Sequence, residues 1–135
     1  MSLLTIGQAI ATRLETISGL QVFSPDEIPD SINSFPCVII MPPKTVYHPS
    51  QDGGIFSDWR ILVIVSRQDM PSALTTLIPF MEETGTYSIK AAIEADRQLG
   101  VTALDCIVTD NSGSGVVIWG GQSYLGTEFE MQTKA

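Results

Sequence analysis

The sequence predicts an α+β domain: a mostly antiparallel (mixed) sheet with an N-terminal helix and two middle helices packed against it, and one long β-hairpin loop. Three observations lead there. Apolar residues step by three and four over 3–18 and again in the second half of the chain, the period of amphipathic helices. Short apolar runs, among them Cys37–Met41 and Trp59–Val65, read as strands. The resulting order is helix, β-rich middle, two helices, β-rich end, the pattern of helices laid against an antiparallel sheet. With no internal repeat, low-complexity segment or linker, residues 1–135 form a single domain.

Leu3, Ile6, Ile10, Leu14 and Ile17 make one face of the opening helix, which Ser18-Gly19 stops. Gln21–Phe23 is a short strand, and Pro25 to Ser34 is a loop of turn formers. Cys37–Met41 is apolar on both faces, as a strand covered on both sides must be, and Pro42-Pro43 ends it. Lys44–Tyr47 and Asp58–Ser66 are the arms of a long hairpin. The connection between them, His48 to Ser57, is too long for a tight turn. Its tip is polar and acidic around Asp52, with Ile55 and Phe56 beside it.

Asp69 is placed to cap a second helix whose apolar face is Leu74, Leu77, Ile78 and Met81. Pro79, costing about 3 kcal/mol inside a helix, predicts a kink or break. From Gly85 to Gly100 a third helix puts Ile89, Ala92, Ile93 and Leu99 on one face, and Lys90, Glu94 and Arg97 on the other. Ser88 caps its start, and Gly100 supplies a left-handed residue to end it. Thr102–Thr109 alternates, with Leu104, Cys106 and Val108 pointing one way. Asp110 to Gly115 is a turn, and Val116–Trp119 and Tyr124–Met131 are closing strands around Gly120-Gly121.

Charge narrows the function. Lysine and arginine number 7 against 15 acidic residues, a formal net charge of −8. Affinity for nucleic acid through phosphate neutralisation needs the opposite sign. A negative surface suits a channel through which DNA slides without sticking. Hydrophobic residues are 44% and charged residues 16%, a balance that points to surface hidden in an oligomer. Cys37 and Cys106, far apart in apolar runs, read as buried free thiols of a reducing cytoplasm, with a bridge between neighbouring strands as the alternative. No apolar run reaches the roughly 20 residues that span a bilayer, and the start lacks the basic region and apolar core of a signal peptide.

Reactive constellations are hard to assemble from these residues. His48, the sole histidine, lies in the hairpin loop beside Pro49, a poor mount for a general base. Ser114 and Ser123 lie among glycines without forming the hydrolase elbow, and no phosphate or dinucleotide loop is present. Glu82-Glu83 splay apart on a helix, whereas Glu128 and Glu130 share a solvated strand face. Asp52-Gly53-Gly54 lacks the spacing of a calcium loop. Trp59 and Trp119 read as core or interface packing, since Arg60 is the one cation near either. No catalytic residue, metal or cofactor is expected.

The ordered set of segments resembles the tail-completion proteins of long-tailed bacteriophages, or tail terminators, the group of the lambda-type minor tail protein U. The likeness runs from the Ile6-Gly7-Gln8-Ala9-Ile10-Ala11-Thr12-Arg13-Leu14 helix through the Phe35-Pro36 strand, the Gly53-Gly54 loop and the Trp59-led strand. It continues through the Gly85–Gly100 helix to Gly120-Gly121 and Tyr124-Leu125-Gly126. The resemblance implies a non-enzymatic virion or prophage assembly protein with no cofactor. Such a protein assembles with copies of itself as a six-fold ring, caps the tail tube, ends its growth and joins the tail to the head. Implied partners are the major tail tube protein and the head–tail connector or neck proteins, in the host cytoplasm during assembly and then in the virion tail. Candidate interface residues are Asp52, Ile55, Phe56, Trp59 and Tyr124. A head-closure or neck component has the same architecture, and a small cytoplasmic ligand-binding α+β domain is the reading from a different class.

Overall fold

The computed structural model describes residues 3–47, 55–67, 71–99 and 105–134. In chain order the elements are α1 (Leu3–Leu14), β1 (Gln21–Phe23), β2 (Cys37–Ile40), β3 (Lys44–Tyr47), β4 (Ile55–Arg67), α2 (Leu74–Met81), α3 (Ile89–Glu94), β5 (Asp105–Asn111), β6 (Gly115–Trp119) and β7 (Gln122–Lys134). The fold is α+β with an open mixed sheet, matching the class the sequence predicts. His48, Asp52, Asp69, Gly100 and Leu104 lie outside the described residues.

Two strands of 13 residues each, β4 and β7, run antiparallel through the centre of the sheet. Each is flanked by an interrupted strand. On one side β2 pairs with Ile61–Ile64 of β4, and β3 continues along Ile55–Asp58. The interruption is Met41-Pro42-Pro43: prolines have no N–H to offer the ladder, so pairing lapses after the Met41 N–H donates to the Arg60 carbonyl at 2.9 Å. On the other side β5 and β6 share β7, separated by Ser112–Ser114. There the Asn111 side chain donates to Thr127 Oγ1 at 3.0 Å and accepts from the Gly113 N–H at 2.9 Å, stitching the break to β7. A two-residue turn, Gly120 (φ 58°) and Gly121 (φ 80°), joins β6 to β7; both positive angles suit a primed hairpin turn. Among the described residues the one parallel pair is β1 with β2.

Helices cover one face. Ile6, Ile10 and Leu14 of α1, Leu77 and Phe80 of α2, and Ile89 and Ile93 of α3 meet Trp59, Ile61, Val63, Phe129 and Met131 of the sheet. A Cβ at Gly7 would meet the Pro25 ring at 2.5 Å and Trp59 at 3.3 Å, so α1 lies this close because position 7 has no side chain. The Arg13 Nε donates to the Ala92 carbonyl at 3.1 Å and ties α1 to α3. Residues 24–27 lie beside α1, and residues 28–36 pass beneath the opposite face as a strap over half the sheet. Ile32 and Ile28 there pack on Cys37, Ile39, Leu62, Ile64 and Tyr124, and the Trp119 Nε1 donates to the Pro29 carbonyl at 2.8 Å.

Several boundaries differ from expectation. Helix α1 ends at Leu14, and Ile17 reaches the core from the turn that follows. Strand β4 begins at Ile55 rather than Asp58, because Ile55, Phe56 and Ser57 pair with Tyr47, Val46 and Thr45. Helix α2 runs through Pro79 and stops at Met81; Thr75, whose carbonyl loses its partner to the proline, is exposed to water. Its buried pair is Leu77 and Phe80, while Ile78 faces solvent. Helix α3 is six residues long, capped by Ser88 Oγ accepting from the Ala91 N–H at 3.1 Å. The turns after it carry Leu99, in the left-handed region at φ 50°, into the core.

Candidate assembly interface

Six charged side chains within the described residues form three ion pairs. Arg60 pairs with Glu128, Lys90 with Glu94 at 2.7 Å, and Arg97 with Asp105 at 2.8 Å. Cys37 and Cys106 are free and lie on opposite faces of the sheet, Cys106 under the helices and Cys37 over the strap. Burial pushes both thiols up to about 11, so neither is a thiolate near neutral pH. Among the described residues no three His, Cys, Asp or Glu side chains converge as metal ligands. Every buried side-chain polar atom among them has a hydrogen-bond partner. Hollows of about 530 Å³ at the Pro42-Pro43 break and 250 Å³ at the Ser112–Gly113 break are open to solvent rather than enclosed.

The surfaces left over set a few apolar side chains among charged and polar ones. The strap covers half of the second sheet face; the other half, built from β3, the start of β4, the end of β7 and the start of β5, is left open by the described residues. Register places Val46 beside Phe56 and Lys134, and Asp58 beside Gln132 and Ile107, all on that face. Val46 and Ile107 are exposed, and Phe56 is half-buried with the Lys134 ammonium 5.5 Å from its ring centre. Phe56 and Ile107 border one hollow of about 140 Å³. Ile55 is half-buried at the outer end of the same strand. On the helix-bearing side, Val116 and Ile118 of β6 stand 51% and 71% exposed.

Of the five residues expected at an interface, the structure keeps Phe56 on the open half-face, turns Ile55 by strand alternation to the other side with Ser57 and Trp59, and corrects two others. Tyr124 is 3% exposed: the strap closes over it, and Phe35 packs on its ring at 6.0 Å between centres. Trp59 is 1% exposed beneath α1, with its Nε1 donating to Thr133 Oγ1 at 3.0 Å. Both are core side chains. Asp52 falls outside the described residues. Sequence reading passed over Val46, Ile107, Val116 and Ile118. The signal for the last two was present in Gly115-Val116-Val117-Ile118-Trp119, an uncharged run closed by a Gly-Gly turn.

The solvent face expected for α3 is instead a seam. Glu94 Oε2 accepts the Val108 N–H at 3.0 Å, and the Arg97 Nε donates to the Cys106 carbonyl at 3.2 Å, so both bind backbone groups on the outer edge of β5. Burial disfavours the Glu94 carboxylate, but hydrogen bonds from Lys90 and the Val108 amide, with the charges of Lys90 and Arg97, outweigh it and lower its pKa. A lowered folded pKa gives stability that is present above the unfolded carboxylate range and lost as pH falls through the folded value. Glu94→Gln is therefore expected to flatten the acid limb of a stability–pH profile below about pH 4.3. An acid limb identical to that of the parent would contradict this role.

No protein-family model matches the chain, and no curated protein matches it significantly. Among the described residues, no helix is long and apolar enough to cross a membrane.

Proposed function

We propose that this chain is a structural subunit of a phage or prophage tail: a ring that caps the tail tube, ends its polymerisation and forms the tail side of the head–tail junction. The observation that carries the reading is the open half of the second sheet face. A lone domain gains by covering Val46, Phe56 and Ile107; a subunit that docks leaves them for its partner. Support also comes from the net charge of −8, which suits a DNA passage, and from the ordered resemblance to tail terminators. In this reading the open half-face meets the tube. A neck component would use the same face against the head-side connector, so the two readings differ in which isolated structure captures the protein.

The test replaces Val46 and Phe56 together with serine. Val46 is exposed and Phe56 half-buried, so the fold is expected to survive while tube binding weakens. An interface anchor of about 2 kcal/mol corresponds to roughly 30-fold in affinity. Unchanged capture on purified tail tubes, with unchanged oligomerisation, would remove this face from the account.

A further inference from the structure

The two lateral edges of the sheet differ in a way that identifies how one copy joins the next. Along β7, the β5 half of the edge is sealed: Glu94 and Arg97 occupy the outward groups of Val108 and Cys106. The β6 half has no such cover among the described residues. In a hairpin with a two-residue turn, Trp119, Val117 and Gly115 exchange backbone hydrogen bonds with β7, leaving the N–H and C=O of Val116 and Ile118 pointing outward. Their side chains are also the exposed ones, and β6 carries no charge or proline to discourage pairing. At the far side of the sheet, the outer edge of β1 pairs with no strand among the described residues. The Gln21 N–H donates to the Pro36 carbonyl at 3.2 Å, so the alternate residues Leu20 and Val22 direct their backbone groups away from β2. Val22 borders a groove of about 190 Å³ with Gln8, Ala11 and Thr12 of α1, Glu15, Ser24 and Glu27.

We propose that β6 of each copy adds to the outer edge of β1 of the next copy, continuing the sheet from subunit to subunit. Three features of the fold select this occupant. Strand directions agree: β1 is parallel to β2, and β6 is reached through three antiparallel steps, so β6 opposes β1 when the next copy follows without inversion. Faces agree: Leu20 and Val22 pack on the helix-side cluster, and Val116 lies opposite Leu125 of that cluster. All the residues with outward backbone groups therefore turn their side chains to one side, as a joined ladder requires. Register follows: Val116 opposite Val22 and Ile118 opposite Leu20, with neighbours offset by two residues, about 7 Å along the strands. A tilted ring of strands carries such an offset naturally. Because the two edges are different surfaces, the contact is heterologous and closes by rotation. The pairing rests on the ring reading above.

The double variant Leu20→Cys/Ile118→Cys tests it under mild oxidation, with Cys37 and Cys106 inert in the core. Residues in a hydrogen-bonded antiparallel pair lie about 5.5 Å apart at Cα, within disulfide range. The expected result is a ladder of covalent multimers from the double variant and none from either single variant. Ile118→Asp in the parent, at a position too exposed to unsettle the fold, is expected to weaken self-association at least tenfold. A ring with no covalent ladder overturns the edge pairing and leaves the ring standing. Dimers from Ile118→Cys alone overturn it in favour of a two-fold β6 contact. A protein that stays monomeric at millimolar concentration overturns the ring reading and the pairing with it.

Discussion

Gly126→Ala is expected to unfold the protein or to cost about 3 kcal/mol or more, the range of severe backbone and packing conflicts. A Cβ at this position would collide with the Val63 carbonyl oxygen, with the Val63 carbon and Ile64 Cα close behind. These are backbone atoms of the facing central strand, which cannot swing away as a flexible side chain does. The register between β4 and β7 shifts just beside this point, between Ile64 and Ser66. Gly126 thus lets the two longest strands approach where the ladder is irregular. Urea unfolding of the purified variant measures the effect, and parent-like stability would show that the two strands are farther apart than described.

Trp59→Ala is expected to cost about 3–5 kcal/mol, the range for truncating a buried aromatic. The substitution empties the space under α1, where Gly7 and Pro25 close on the indole, and leaves Thr133 Oγ1 without its donor. The loss should appear in the unfolding of the monomer at any concentration. A variant of normal stability that fails only in assembly would restore Trp59 to the interface. That contrast separates it from Phe56, whose replacement is expected to spare the fold.

Most of the fold was legible because each element carries a local signal. Apolar spacing marked α1, the doubly buried Cys37–Ile40 strand declared itself by having no polar face, and Ser88 announced the start of α3. The interface was less legible because exposure is decided by what crosses a strand, and a loop has no periodicity to reveal its path. Tyr124 looked available until the strap lay over it; Ile107 alternated correctly, but nothing local shows that its side of β5 is left open. Glu94 and Arg97 followed the pattern of a solvated helix face. Their actual partners, the Val108 N–H and the Cys106 carbonyl, are backbone groups of a strand that sequence spacing does not place beside them.

The proposed role depends on copies of the chain joining one another on a tube end. Multi-angle light scattering of the purified protein, across a concentration series and again with isolated tail tubes present, tests it most directly. The expected result is a closed species of six chains, formed alone at high concentration or at the tube tips. A mass of one chain at every concentration, with tube tips left bare, would contradict it.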